Sequence, residues 1–163
     1  MEGNNIMHKK LTALIIGAIA MAMAPAAMAQ DKITLQLKWV PQAQFAGYIV
    51  AKAKGFYTDE NLDVNILPGG PNLAPEQVIA GGGADVIVDW MGGAAAARDK
   101  GVPLVNIAQP FKRAGLMMIC PVENGIKNEA DFPGHTSGDW FHGNEYAFFA
   151  CMNKPGYPTD GSD

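Results

Sequence analysis

The sequence predicts an α/β protein built on an open, mainly parallel, doubly wound sheet. Two observations carry this. Strand-like runs of period two alternate with helix-like runs, and glycines or prolines punctuate the joints between them. The same strand, loop and helix order then recurs along the chain, as parallel sheets with crossover helices require.

The first unit is Ile33–Tyr57, ITLQLKWVPQAQFAGYIVAKAKGFY. Ile33, Leu35 and Leu37 fall on one face of a strand, with Thr34, Gln36 and Lys38 on the other. Trp39, Pro41, Gln42 and Gln44 break the alternation. Apolar spacing then resumes at Phe45, Ile49, Val50 and Ala53 as a helix closed by Gly55. Leu62–Leu67 alternates as a second strand and leads into the Pro68–Asn72 turn. A short helix over Ala74–Ala80 follows, with Pro75 in its first turn and Glu76 near its positive end.

Ala84–Asp89 reads as a third strand, and Val86-Ile87-Val88 suggests burial on both faces. The loop Trp90–Gly93 and a helix over Ala94–Lys100 come next. Further strands are expected at Pro103–Gln109, Leu116–Cys120 and Gly134–Trp140, with helical spacing at Glu129–Phe132 and Gly143–Lys154. Two strands running on through Phe111–Arg113 are what a hinge would look like. The expected organisation is residues 1–29 a leader, 30–110 a first α/β lobe, 111–115 a hinge, and 116–163 the start of a second lobe that this chain does not complete.

Lys9 and Lys10, the apolar run Leu11–Ala24, and the small-x-small Ala27-Met28-Ala29 describe a cleavable secretory signal. The run falls short of the ~20 residues a membrane span needs, which argues against an uncleaved anchor. Gln30 stands where a lipid-anchored protein would have Cys. A periplasmic location follows from this reading.

The chain has 12 Lys and Arg against 16 Asp and Glu, a net charge of −4. Losing Lys9, Lys10 and Glu2 with the leader makes the rest more acidic still. No basic cluster is present, so nucleic-acid binding is not expected. Cys120 and Cys151 read as two buried thiols, although export would permit a disulfide. Neither has a second Cys or a His at ligand spacing, so no metal is expected.

Ligands in open α/β sheets sit at the carboxyl ends of the strands. Trp39 is therefore a candidate stacking surface, the alternative being a rim aromatic packed on the first helix. Gln42 and Gln44 offer donors and acceptors to a heterocycle edge, or are simply solvated. Phe45 could line the cleft. Asp89 could accept from a ligand amino group or cap free backbone N–H groups, and Trp90 beside it could stack. Gly143, Asn144, Glu145 and Tyr146 open the last helix and are expected to face the first lobe across a cleft. There Gly143 would allow close backbone approach to a ligand and Glu145 could bind an amino-bearing ring, the alternative being that Asn144 caps the helix and Glu145 complements its dipole. His142, without a partner, reads as a solvated loop residue.

The blocks KWVPQAQFAGYIVAKAKGFY, GGPN, APEQVIAGGGADVIVDWM, KGVPLVNIAQPF and WFHGNEY resemble the extracytoplasmic solute-binding proteins of ABC importers. The closest resemblance is to the branch related to yeast-type thiamine pyrimidine synthases, which includes binders of thiamine pyrimidine precursors and riboflavin. It implies a type II periplasmic-binding-protein-like fold whose two lobes close over a small heterocyclic solute and hand it to an ABC permease. Family members are longer, so it also implies a complete first lobe and a truncated second. Asp139 departs from the pattern by standing at a strand position where relatives usually have an apolar residue. His135 and Ser137 make the same strand more polar than expected.

On this reading the chain is a monomeric binding protein with no cofactor and no enzymatic activity, since no catalytic set is assembled. The alternative is a thiamine pyrimidine synthase-like enzyme. The eukaryotic synthases carry a cysteine-rich motif, whereas this chain has two dispersed cysteines.

Overall fold

The computed structural model describes residues 29–159. The expected leader, but for Ala29, lies outside the described residues.

Three parallel strands form the sheet, in the order β2-β1-β3. They are β1 (Asp31–Gln36), β2 (Leu62–Leu67) and β3 (Val86–Ile87). β1 pairs along its whole length with β2, from Asp31↔Leu62 to Gln36↔Leu67. Its last two residues also pair with β3, Leu35↔Val86 and Gln36↔Ile87. The first expected strand is thus the central one, and its carboxyl end is buried on both faces.

On one face Leu35 and Leu37 form a core cluster with Phe45 and Val64, and Ile33, Tyr48, Tyr57 and Ile66 pack against it. Phe45 belongs to the 3-10 turn Ala43–Phe45 that feeds helix α1 (Ala46–Ala53). A short α2 (Phe56–Asp59) follows, entered through Gly55 in the left-handed region. On the other face lie Gln36 and Lys38, both buried. Burying them requires partners. The Gln36 side-chain amide donates to the carbonyls of Leu37 (3.0 Å) and Pro68 (2.9 Å), clasping the strand end to the next turn. Lys38 takes carboxylates.

The Pro68–Asn72 turn is fastened by Gly69, whose N–H donates to the Trp39 carbonyl at 3.0 Å. A Cβ on Gly69 would sit 2.6 Å from the Trp39 nitrogen, so the two backbones approach this closely only with glycine. Helix α3 (Pro75–Ala80) has its proline in the first turn, as expected. Helix α4 covers Met91–Asp99 and so begins three residues before the expected Ala94. The Arg98 guanidinium donates to the Leu104 carbonyl and ties down the chain that leaves it. The 3-10 turn at Glu129–Asp131 carries an Asn128 capping box, and the last helix, α5, spans Glu145–Asn153.

Three expected strands do not form. Pro103–Gln109, Leu116–Cys120 and Gly134–Trp140 have no regular structure. Val105 is 78% exposed and Ile119 88%. A β-branched run has the capacity to be a strand, but it needs a neighbouring strand for its backbone groups. These runs find none among the described residues. The expected third strand also shortens to two residues, although Asp85 N–H to Thr34 and Val88 N–H to Gln36 extend its pairing.

The α/β class and the open parallel sheet are therefore observed. A second lobe with its own sheet is not seen among the described residues. The two cysteines are free, but the expectation of buried thiols needs correction: Cys120 is partly exposed and Cys151 exposed.

Candidate functional site

Where β1 ends, the chain turns outward at Trp39, and a cavity of about 280 Å³ opens beside it. Trp39, Gln44 and Phe45 line it from the first loop. Gly70, Pro71 and Leu73 come from the turn after β2, and Trp90 from the end of β3. The fourth wall is the segment before α5, which supplies Trp140, His142 and Asn144. Trp39 and Trp140 meet edge to face, with ring centroids 6.0 Å apart and planes at 84°. All three tryptophans of the chain therefore surround one space.

Lys38 also lines the cavity and is its one Lys, Arg, Asp or Glu. Its ammonium lies 2.6 Å from Asp89 Oδ1 and 3.8 Å from Glu76 Oε2. The Lys38 and Asp89 side chains are almost wholly buried. Asp89 Oδ1 also accepts from the Trp90 N–H at 2.8 Å, whereas Asp89 Oδ2 and Glu76 Oε2 have no hydrogen-bond partner among the described residues. Burial pushes the Asp89 carboxyl above its ordinary value, and the Lys38 hydrogen bond and charge oppose that without reversing it. Gly93 makes room for the group: a Cβ there would meet Asp89 Oδ2 at 3.3 Å and Glu76 Oε1 at 3.6 Å.

The segment before α5 closes directly onto this floor. Gly143, at φ 106, would place a Cβ 3.2 Å from Trp90 Cδ1 and 3.6 Å from Lys38 Nζ. Gly92 lies so close to α5 that a Cβ would come within 2.7 Å of the Tyr146 Cβ. Gly143 thus packs on Trp90 and Lys38, and Tyr146 on Gly92 of α4. Glu145 Oε2 accepts from the Gly143 N–H at 2.7 Å, and the Asn144 amide donates to the Phe141 carbonyl at 3.1 Å.

Of the residues proposed from sequence, the cavity brings together Trp39, Gln44, Phe45, Trp90 and Asn144. Gln42 stands outside its lining and accepts from the Gln44 amide at 2.9 Å. Asp89, Gly143, Glu145 and Tyr146 are not among its lining residues: Asp89 pairs with Lys38, Gly143 packs on Trp90, Tyr146 meets Gly92, and Glu145 accepts from the Gly143 N–H. Sequence reasoning missed Lys38, Trp140 and His142. Lys38 carried a usable signal, being a cation at the end of a central strand immediately before an aromatic. Trp140 and His142 stood within the WFHGNEY block, but no local spacing showed that the return of the chain brings them to Trp39. His142, read as a solvated loop residue, is exposed with φ 65 and lines the cavity.

Comparison with known proteins places this geometry in context. The chain is 27% identical over 135 residues to the formylaminopyrimidine-binding protein of Halalkalibacterium halodurans, covering 79% of this chain and 41% of that one. It is 27% identical over 146 residues to the riboflavin-binding protein RibY of Chloroflexus aurantiacus, covering 85% and 42%. Over 89 residues it is 33% identical to the 4-amino-5-hydroxymethyl-2-methylpyrimidine phosphate synthase THI11 of Saccharomyces cerevisiae, covering 52% and 26%. The chain spans less than half the length of each of these relatives. The yeast match corrects the expectation that enzymatic activity is absent. A protein named as a synthase shares this sequence pattern, so the lack of an evident catalytic set in one chain is no ground for excluding catalysis. Residues 42–157 match the family described as NMT1/THI5 like, and the chain belongs to that family.

Proposed function

We propose that the cavity at the sheet mouth binds a flat, nitrogen-bearing heterocycle of the pyrimidine type. The observation that carries this is the gathering of Trp39, Trp90 and Trp140 around one space. Tryptophan faces supply apolar area to a planar ring, while Gln44 and Asn144 offer amide groups to its edge. About 280 Å³ is at the small end of ligand cavities, which suits a single ring better than a three-ring flavin. Two of the relatives above carry a pyrimidine in their names, which supports the same choice.

The whole protein would then serve the supply of such a ring. In one reading it is the solute-binding component of an ABC importer, working as a monomer outside the cytoplasm and passing the ring to a permease. In the other it is a synthase-like enzyme of thiamine pyrimidine formation. The 33% identity to the yeast synthase favours the second, and the similarity to two proteins named for binding favours the first.

Binding is tested on the full chain by tryptophan fluorescence titration with 4-amino-5-hydroxymethyl-2-methylpyrimidine and with riboflavin. The pyrimidine should quench the emission. Trp39→Ala or Trp140→Ala should weaken its binding by roughly tenfold, from a stacking contribution of about 1–3 kcal/mol. Failure of the pyrimidine to bind, or tighter binding of riboflavin, would sink the proposal. The two readings separate in a bacterium that cannot make the thiamine pyrimidine. Rescue without added pyrimidine supports the synthase, and rescue only at low external pyrimidine supports uptake.

A further inference from the structure

His142 is the polar residue of the cavity that stacking leaves unused. Besides the tryptophans, the lining side chains that carry nitrogen or oxygen are Lys38, Gln44, His142 and Asn144. The Lys38 ammonium is shut off from solvent and held by Asp89 at 2.6 Å. Gln44 and Asn144 each commit an amide N–H, to the Gln42 side chain at 2.9 Å and to the Phe141 carbonyl at 3.1 Å. His142 is exposed, and its imidazole has no hydrogen-bond partner among the described residues.

Its backbone is also unusual. His142 takes φ 65, and among the described residues Asn61 is the one other non-glycine residue at positive φ. That region costs an L residue free energy, and such a cost persists only where surrounding contacts enforce it. Here they do. On one side Trp140 meets Trp39, and on the other Gly143, at φ 106, packs on Trp90 and Lys38. The Gly143 N–H is further held by Glu145 at 2.7 Å. His142 therefore stands in the cavity wall between two anchored neighbours.

Resting on the heterocycle reading above, we infer that His142 is a specificity-determining residue of the cavity, donating an imidazole N–H to an unprotonated nitrogen of the bound ring. An imidazole keeps at least one N–H whether neutral or protonated, so the donor is present in either state. The amide oxygens of Gln44 and Asn144 accept from nothing among the described residues and are left for a ring amino group. A donor beside two acceptors selects an aminopyrimidine over a carbocycle of the same shape, whereas the tryptophans recognise only flatness.

The probes are 4-amino-2-methylpyrimidine and 3-methylaniline, which share the amino and methyl groups and differ only in the ring nitrogens. Both are titrated calorimetrically against the full chain. His142→Gly should weaken binding of the pyrimidine about three- to tenfold, the worth of one neutral hydrogen bond, and leave 3-methylaniline within about twofold. Glycine adopts φ 65 without a Cβ penalty, so the urea midpoint of His142→Gly should equal or exceed that of the wild type. His142→Asn keeps an N–H donor and a side chain tolerated in the left-handed region, and should recover part of the lost affinity. Equal losses for the two probes, with or without a lowered midpoint, or no loss for the pyrimidine, overturn the assignment of His142. If neither probe binds the wild-type chain, the heterocycle reading itself falls and this inference goes with it.

Discussion

Residues 31–99 and residues 103–144 both carry runs of Val, Ile, Leu and Met, yet the two regions end differently. In the first, Leu37 is 0% exposed at the end of a strand with neighbours on both sides. In the second, Ile119 is 88% exposed and its run pairs with nothing among the described residues. Local pattern is much the same in both. The difference is whether a neighbour at strand spacing exists to take the backbone hydrogen bonds and cover a face. The stretch around Trp140 returns to the loop after β1 through aromatic contact, and Gly143 beside it packs on Trp90 and Lys38, without strand pairing.

The largest test of this contrast is a pair of truncations. Leu37→Ala should cost about 3 kcal/mol, the usual range for a buried leucine, whereas Ile119→Ala should stay within about 0.5 kcal/mol. Urea denaturation of both variants reads the difference. A cost above about 1 kcal/mol for Ile119→Ala would mean that this run is packed after all.

A smaller effect probes how the second region is attached. Gly92→Ala drives a methyl into the Tyr146 side chain and should destabilise by roughly 1–3 kcal/mol. In a Tyr146→Gly background, which removes the Cβ met at 2.7 Å as well as the ring, most of that penalty should vanish, giving a coupling of about 1 kcal/mol or more. Strictly additive losses would show that α5 does not rest on α4 in solution.

The smallest effect lies at the floor of the cavity. The Asp89 carboxyl is raised in the folded state by burial, so the folded protein holds this proton more tightly than the unfolded chain. Its contribution to stability is complete below the ordinary value of 3.8 and is lost as pH rises through the raised folded value. Urea midpoints for the wild type should therefore fall relative to Asp89→Asn as pH is taken upward from just below 3.8. A difference that is flat with pH, or that grows in the wild type's favour, would show that Lys38 outweighs burial.

The first half of the fold was legible because its determinants are local. Alternation marked β1 and β2, Pro75 marked the start of α3, and Gly55 marked the end of α1. Helix α4 begins earlier than expected and takes in Gly92 and Gly93, poor helix formers; Gly92 packs closely on Tyr146, a contact invisible in the local pattern. The site was legible where it follows a strand end. Trp39 and Trp90 are such residues. Trp140 was not, and Lys38 was assigned to a strand face without notice that the face would be covered.

The sequence by itself determined the α/β class, the first two strands, the position of every long helix to within a few residues, and the aromatic character of the strand mouths. These depend on periodicity, turn residues and caps, all of which act over a few neighbours. Tertiary structure alone decided which apolar runs became strands, that Lys38 would be buried against Asp89 and Glu76, and that Trp140 would close on Trp39. Those outcomes depend on which distant segment arrives to supply a hydrogen-bond partner, a counter-charge or a ring face. Spacing along the chain carries no record of that.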